Sequence, residues 1–189
     1  MRKLFAILLI LCVLPFAALA ENIDYDFGDF TLTIPADIAG TINEKTDGQV
    51  YFMLYPNYNQ SNAFHQNINC VWTAGFESVS LYTDEQVKQL AEGVMDGMIS
   101  GLKEQGIVVE DAQVLSAEHL SIGGKDGIAL SYSYYSDYTG AGIDLKTTVY
   151  MAQFLVSEPA LGTYNLTYTF GDPNDTDAAV AILDSLKWN

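Results

Sequence analysis

Few side chains in this 189-residue sequence are of a type that does chemistry. It has two cysteines and two histidines. Cys70 sits in Ile68-Asn69-Cys70-Val71-Trp72, which reads as strand, and the expectation is a buried, inert thiol. A nucleophilic cysteine needs a base beside it and an electropositive setting. Here 24 acids face 8 lysines and arginines. His65 falls in a polar, Asn-rich stretch and is expected at the surface. His119 falls in a strand and reads as a satisfied or surface histidine rather than a base. Phosphate loops, zinc-ligand spacings and the Gly-x-Ser-x-Gly elbow are all absent. No catalytic residue, cofactor or structural zinc is expected.

Carboxylates offer little more. Asp172-Pro173-Asn174-Asp175-Thr176-Asp177 places oxygens at alternating positions, as a calcium loop would. The EF-hand pattern then needs glycine where Asp177 stands and glutamate where Leu183 stands. The run reads instead as a helix cap. Asp24, Asp26 and Asp29 could also ligate an ion, though an acidic disordered start explains them equally. A carboxylate pair for glycoside hydrolysis arises by chance among 24 acids, so none is singled out.

The tyrosines are the more informative feature. Tyr132, Tyr134, Tyr135 and Tyr138 gather at a strand end and its loop, and Tyr51, Tyr55 and Tyr58 form a second group. Tyrosine covers apolar area while offering a hydroxyl, which suits binding surfaces for a protein or a glycan. It also has strong strand propensity, so a sheet-core role competes. A binding role expects Tyr132, Tyr135 and Tyr138 to face solvent in one patch. A small hydrolase expects a pocket holding His119 or a carboxylate pair.

The elements that must carry these residues follow from periodicity. Phe30, Leu32 and Ile34 alternate with threonines in a half-buried strand that Pro35 ends. Strands are expected over 49–54 and 68–76, with a polar loop over 56–67. Thr83-Asp84-Glu85-Gln86 is a capping box. It opens a helix whose Val87, Leu90, Ala91, Val94, Met98 and Leu102 share a face, and Gly106 closes it. Met95 and Met98 read as core filler. Gly93, Gly97 and Gly101, spaced by four, suggest close backbone approach to a sheet. Residues 106–171 read as an antiparallel meander, with Ile128, Leu130, Tyr132 and Tyr134 on one face of its central strand. Ala179, Ile182, Leu183 and Leu186 give a final helix an apolar face. Sheet plus segregated helices predicts an α+β fold.

The N-terminus reads as an export signal. Arg2 and Lys3 precede an apolar run over 4–14, and Ala18-Leu19-Ala20 sets a cleavage site before Glu21. Cys12 lies inside the apolar run without a small residue before it, so lipidation is not expected. The expected organisation is a cleaved signal over 1–20 and one α+β domain over 21–189. Cleavage leaves six cations against 24 acids, a net charge of −18. Such a surface repels phosphate backbones, which argues against nucleic acid as a partner. No stable membrane insertion is expected after cleavage. Asn59, Asn165 and Asn174 head glycosylation sequons, and Asn165, in a strand, would be a poor acceptor.

Several phrases taken together resemble the Mog1/PsbP-like family, which includes many small exported bacterial proteins. They are Phe30-Thr31-Leu32-Thr33-Ile34-Pro35, Gly124-Lys125-Asp126-Gly127-Ile128-Ala129-Leu130-Ser131-Tyr132, Tyr164-Asn165-Leu166-Thr167-Tyr168 and Ile182-Leu183-Asp184-Ser185-Leu186-Lys187. The likeness covers most of residues 25–188. It implies an antiparallel β-sheet flanked by helices, an α/β/α sandwich. Family members include a photosystem subunit and a GTPase-binding protein, but neither role has a residue signature here.

The expected function is therefore an exported, non-enzymatic binding or accessory domain, its partner an envelope or extracellular protein or a glycan. The candidate surface is Tyr132, Tyr134, Tyr135 and Tyr138. A small extracytoplasmic hydrolase and an acidic structural or cation-binding surface protein are the alternatives.

Overall fold

The computed structural model describes residues 22–35, 41–46, 50–55, 64, 66–73, 78–158, 162–173 and 176–189. The export segment, His65, Tyr58, Asn59, Asn174 and most of the loop expected over 56–67 lie outside the described residues, as do the side chains of Tyr51 and Tyr55.

The strands are β1 (Asn22–Asp26), β2 (Phe30–Pro35), β3 (Thr41–Thr46), β4 (Val50–Tyr55), β5 (Asn67–Thr73), β6 (Val108–Ile122), β7 (Lys125–Asp137), β8 (Lys146–Glu158), β9 (Gly162–Phe170) and β10 (Lys187–Trp188). The helices are α1 (Asp84–Glu104) and α2 (Thr176–Asp184), with 3-10 turns at Val79–Leu81 and Thr139–Ala141. Seven strands form one antiparallel sheet in the order β3-β4-β5-β9-β8-β7-β6, and β1-β2-β10 form a second, small sheet. The large sheet carries α1 on one face and the small sheet with α2 on the other. The architecture is an α+β sandwich of an antiparallel sheet flanked by helices, as the sequence predicts.

Each layer buries what its periodicity offers. Phe30, Leu32 and Ile34 of β2 are fully buried with Ile68, Cys70, Phe154, Leu166 and the α2 residues Ile182 and Leu183. The other core joins Val87, Ala91 and Met95 of α1 to Ile128, Leu130 and Tyr132 of β7 and to Met151 and Leu155 of β8. Fully burying one Leu or Ile side chain contributes roughly 1.5–3 kcal/mol, so these two clusters dominate the stability.

The helix ends are specified locally. The Thr83 hydroxyl accepts from the Gln86 amide at 3.3 Å, and Gln86 Oε1 accepts from the Thr83 amide at 2.8 Å. At the other end Ile107 N–H donates to Leu102 C=O and Gly106 N–H to Lys103 C=O, both at 3.0 Å. Gly106 has φ +81°, the left-handed turn that this termination requires.

Two readings need correction, and two strands were not anticipated. Gly93, Gly97 and Gly101 do not meet the sheet: a Cβ at any of them would find nothing within 4 Å. The acidic start is a strand, β1, because its backbone pairs with β2. The segment over 41–46 is also a strand, β3, pairing with β4. The last residues return as β10, where Trp188 pairs with Phe30.

Candidate binding surface

The strand β7 divides the predicted tyrosine cluster. Side chains alternate along a strand, and Ile128, Leu130 and Tyr132 point into the core beneath α1. Tyr132 is fully buried and Tyr134 is 5% exposed, which corrects their expected place on a surface. The Tyr132 hydroxyl is buried without a hydrogen-bond partner among the described residues. Burial pushes both phenols well above the usual tyrosine range, and in Tyr134 the nearby Tyr138 adds to the rise. Tyr135 and Tyr138 remain partly exposed. Tyr135 takes the opposite parity from Tyr134, while Tyr138 stays close enough to Tyr134 to act on it, so the four tyrosines do not share one patch.

The end of the sheet around Tyr138 is nonetheless ordered and partly apolar. The Ile143 N–H donates to Tyr138 C=O at 3.2 Å, and the Tyr138 N–H donates to Leu145 C=O at 2.9 Å. Asp137 Oδ1 accepts from the Thr139 amide at 2.9 Å and its hydroxyl at 2.6 Å. Lys146 Nζ lies 2.8 Å from Asp137 Oδ2. The Lys146 bond and then the Thr139 bonds hold the Asp137 carboxyl down at about 2. Beside this turn, Val108, the pairing partner of Asp137, is 50% exposed and Ile143 is 54% exposed.

His119 does line a shallow cavity of about 190 Å³ with Ser80, Leu120, Asp126 and Gly127. Its Nε2 lies 2.9 Å from Tyr82 C=O. A carbonyl only accepts, so that nitrogen carries the proton. Asp84 Oδ1 stands 4.0 Å away. The Ser80 hydroxyl shares a 2.8 Å hydrogen bond with Ser78. A nucleophile needs a base within hydrogen-bond reach, and His119 is engaged with the N-terminal cap segment of α1.

The acids that could have ligated an ion are placed otherwise. Asp24 accepts from the Thr33 hydroxyl at 2.6 Å, Asp26 from the Gly28 amide at 2.8 Å, and Asp29 from the Tyr164 hydroxyl at 3.0 Å. Asp177 lies in the first turn of α2, where the helix dipole favours a carboxylate. Among the described residues no group of three or more His, Cys, Asp or Glu side chains stands close enough to hold a metal ion. No described helix is long and apolar enough to cross a membrane.

A second surface was missed in the sequence. On β9, Tyr164, Leu166, Tyr168 and Phe170 enter the core on the side of the small sheet. Asn165, Thr167 and Thr169 therefore face the α1 side. Register sets Thr167 between Gln153 of β8 and Asn69 of β5, and Thr169 beside Asn67. Asn69 Nδ2 donates to Asn67 Oδ1 at 3.1 Å, and Thr167 Oγ1 donates to Asn165 Oδ1 at 3.3 Å. The Gln153 amide reaches Thr167 Oγ1 at 3.5 Å. Six uncharged polar side chains thus form one block on three adjacent strands, beyond the part of the sheet that α1 covers. The signal was present as Asn-x-Asn at 67–69 and Asn-x-Thr-x-Thr at 165–169, a polar face at period two.

No protein-family model matches the sequence, and no curated protein matches it significantly. Solved structures do share its fold. The solution structure of cyanobacterial PsbP (CyanoP) from Synechocystis sp. PCC 6803 superposes with a TM-score of 0.55 at 11% identity, over 92% of this chain and 96% of that one. A Pseudomonas aeruginosa protein of unknown function gives 0.43 at 11% identity, over 87% and 95%. A Bacteroides thetaiotaomicron protein gives 0.46 at 12% identity, over 90% of this chain and 49% of that one. At this identity the likeness to the cyanobacterial protein establishes a PsbP-like fold and nothing further.

Proposed function

We propose that this chain is exported, loses residues 1–20, and acts outside the cytoplasm as a non-enzymatic binding or accessory domain for an envelope or extracellular protein. The observation that carries this reading is the sheet end around Tyr138. There Val108 and Ile143 expose large apolar side chains beside a turn fixed by the Asp137–Lys146 pair. Apolar side chains next to a tyrosine, with a rim of charged groups, resemble the centre and margin of a protein interface. The high acid content disfavours nucleic acid and anionic lipid and leaves protein partners open. Export rests on the three-part N-terminal segment of the sequence.

The test is photo-crosslinking in the native cell, with a crosslinking residue at Val108, Tyr138 or Ile143 and a control at Lys88 on the exposed side of α1. One protein captured reproducibly from the first three positions and absent from the control supports the reading. Capture of nothing above background, under conditions that trap an established envelope complex, overturns it.

A further inference from the structure

We infer that the uncharged block on β5, β8 and β9 is a docking face for a neutral saccharide chain, an assignment that rests on the reading of the protein as an extracytoplasmic binding domain and names a ligand chemistry for it. The block consists of Asn67, Asn69, Gln153, Asn165, Thr167 and Thr169, and none of them carries charge. That composition stands out in a chain with 24 acidic residues. A charged ligand would meet no counter-ion there, and an apolar one would strip water from amides without replacing their hydrogen bonds.

Geometry narrows the ligand further. β5, β9 and β8 are interior strands whose backbone groups are taken up by antiparallel neighbours on both sides. An extended peptide that docks by adding a strand needs an open sheet edge, and this block has none. What it offers is side-chain amides and hydroxyls spaced by the strand separation of about 4.8 Å and by two residues along each strand. Each asparagine or glutamine carries both a donor and an acceptor, the complement of adjacent sugar hydroxyls. The internal bonds use one end of each amide: the oxygens of Asn67 and Asn165 and the nitrogens of Asn69 and Gln153. The opposite ends make no further bond among the described residues. The internal bonds fix the amide orientations before a ligand arrives, which lowers the ordering cost of binding. Thr167, at the centre, is 7% exposed and acts as the hinge of the network, so the contacts to sugar fall to Asn67, Asn69, Gln153 and Asn165.

The test is native affinity electrophoresis of the protein purified after expression of the full-length chain in an exporting host. Gels would contain amylose, dextran, xylan or laminarin, with polygalacturonate as the acidic comparison. Retardation is expected in at least one neutral polymer and not in polygalacturonate. The near-isosteric changes Asn69→Asp and Gln153→Glu should weaken that retardation about tenfold, with an unchanged melting temperature showing that the fold survives. Lys88→Gln, on the exposed side of α1, should leave it intact. Failure of every neutral polymer to retard the wild type overturns the assignment, as does equal retardation of the Asn69→Asp and Gln153→Glu variants. If those two changes instead abolish crosslinks made from Ile143, the face belongs to the protein partner and the saccharide assignment falls. Absence of crosslinks from the wild-type protein, with its retardation retained, would sink only the protein-partner reading.

Discussion

Tyr132 and Tyr135 stand three residues apart on β7 and face opposite sides of the same sheet. Tyr132 is sealed beneath α1 with its hydroxyl unpaired among the described residues, whereas Tyr135 is partly exposed beside Lys146. An unsatisfied buried hydroxyl costs about 1–3 kcal/mol. Tyr132→Phe removes that cost and keeps the ring, so it should stabilise the protein by about 1 kcal/mol. Tyr132→Ala leaves a cavity and should destabilise it by about 3–5 kcal/mol. Urea unfolding of the two variants checks both signs. A loss of stability in Tyr132→Phe would mean that the hydroxyl has a partner.

On α1 the three glycines Gly93, Gly97 and Gly101 have open space where a Cβ would sit. Alanine is favoured over glycine in a helix interior by about 1 kcal/mol. Each Gly→Ala change should therefore raise the melting temperature by about 2–4 °C, the shift that 1 kcal/mol gives for a protein of this size. Gly93→Ala and Gly101→Ala, two turns apart, should add, whereas either of them is close enough to Gly97→Ala to couple with it. Calorimetry of the single and double variants tests this. A destabilising substitution at any of the three would show that the helix packs more closely there than the structure places it.

Much of this arrangement was legible because local patterns agreed with it. The alternation Phe30-x-Leu32-x-Ile34 and the capping box at Thr83 each act within a few residues, and both stand as read. The alternation Ile128, Leu130, Tyr132, Tyr134 was also legible, and it already implied that Tyr132 and Tyr134 go inward with the aliphatic residues. Reading them as surface tyrosines gave composition more weight than period. The strand β10 was not legible, because two residues acquire their conformation only by pairing with Phe30 and Thr31, over 150 positions away. The amide block was missed for a related reason. Asn67, Asn69, Gln153 and Asn165 come from three strands, and only the register of β5 and β8 on β9 makes them neighbours.

Cys70 lies on β5 between Phe52 of β4 and Leu166 of β9. It is 1% exposed, and burial pushes its thiol well above the usual cysteine range. The thiolate is the reactive form, so native protein should resist iodoacetamide and react only after unfolding. Mass spectrometry of protein alkylated with and without denaturant reads this directly. Cys70→Ser exchanges an apolar contact for a buried hydroxyl and should cost about 1–3 kcal/mol. Rapid native alkylation would show that β5 opens from the sheet without global unfolding.

Asp137 and Lys146 tie the ends of β7 and β8 together, and that tie should depend on pH in a definite direction. The Asp137 carboxyl is held down at about 2, below the ordinary aspartate range, first by the Lys146 bond and then by Thr139. A carboxylate whose folded value is depressed contributes stability above its unfolded value and loses it as pH falls through the folded one. The contribution should be complete at neutral pH and fade between about pH 4 and pH 2. Asp137→Asn should therefore melt below the wild type at pH 6, with the gap closing as the pH falls to 2. Lys146→Met removes the partner cation and should narrow the window, because the carboxyl then keeps only its Thr139 bonds. The pair is exposed enough for salt to screen it, so the pH 6 gap should also shrink in high salt. Thermal melts of the three proteins between pH 6 and pH 2 decide the matter. A gap independent of pH would mean that Asp137→Asn weakens the turn by disturbing its geometry, since the Thr139 bonds to Oδ1 survive in asparagine, and not by removing a charge.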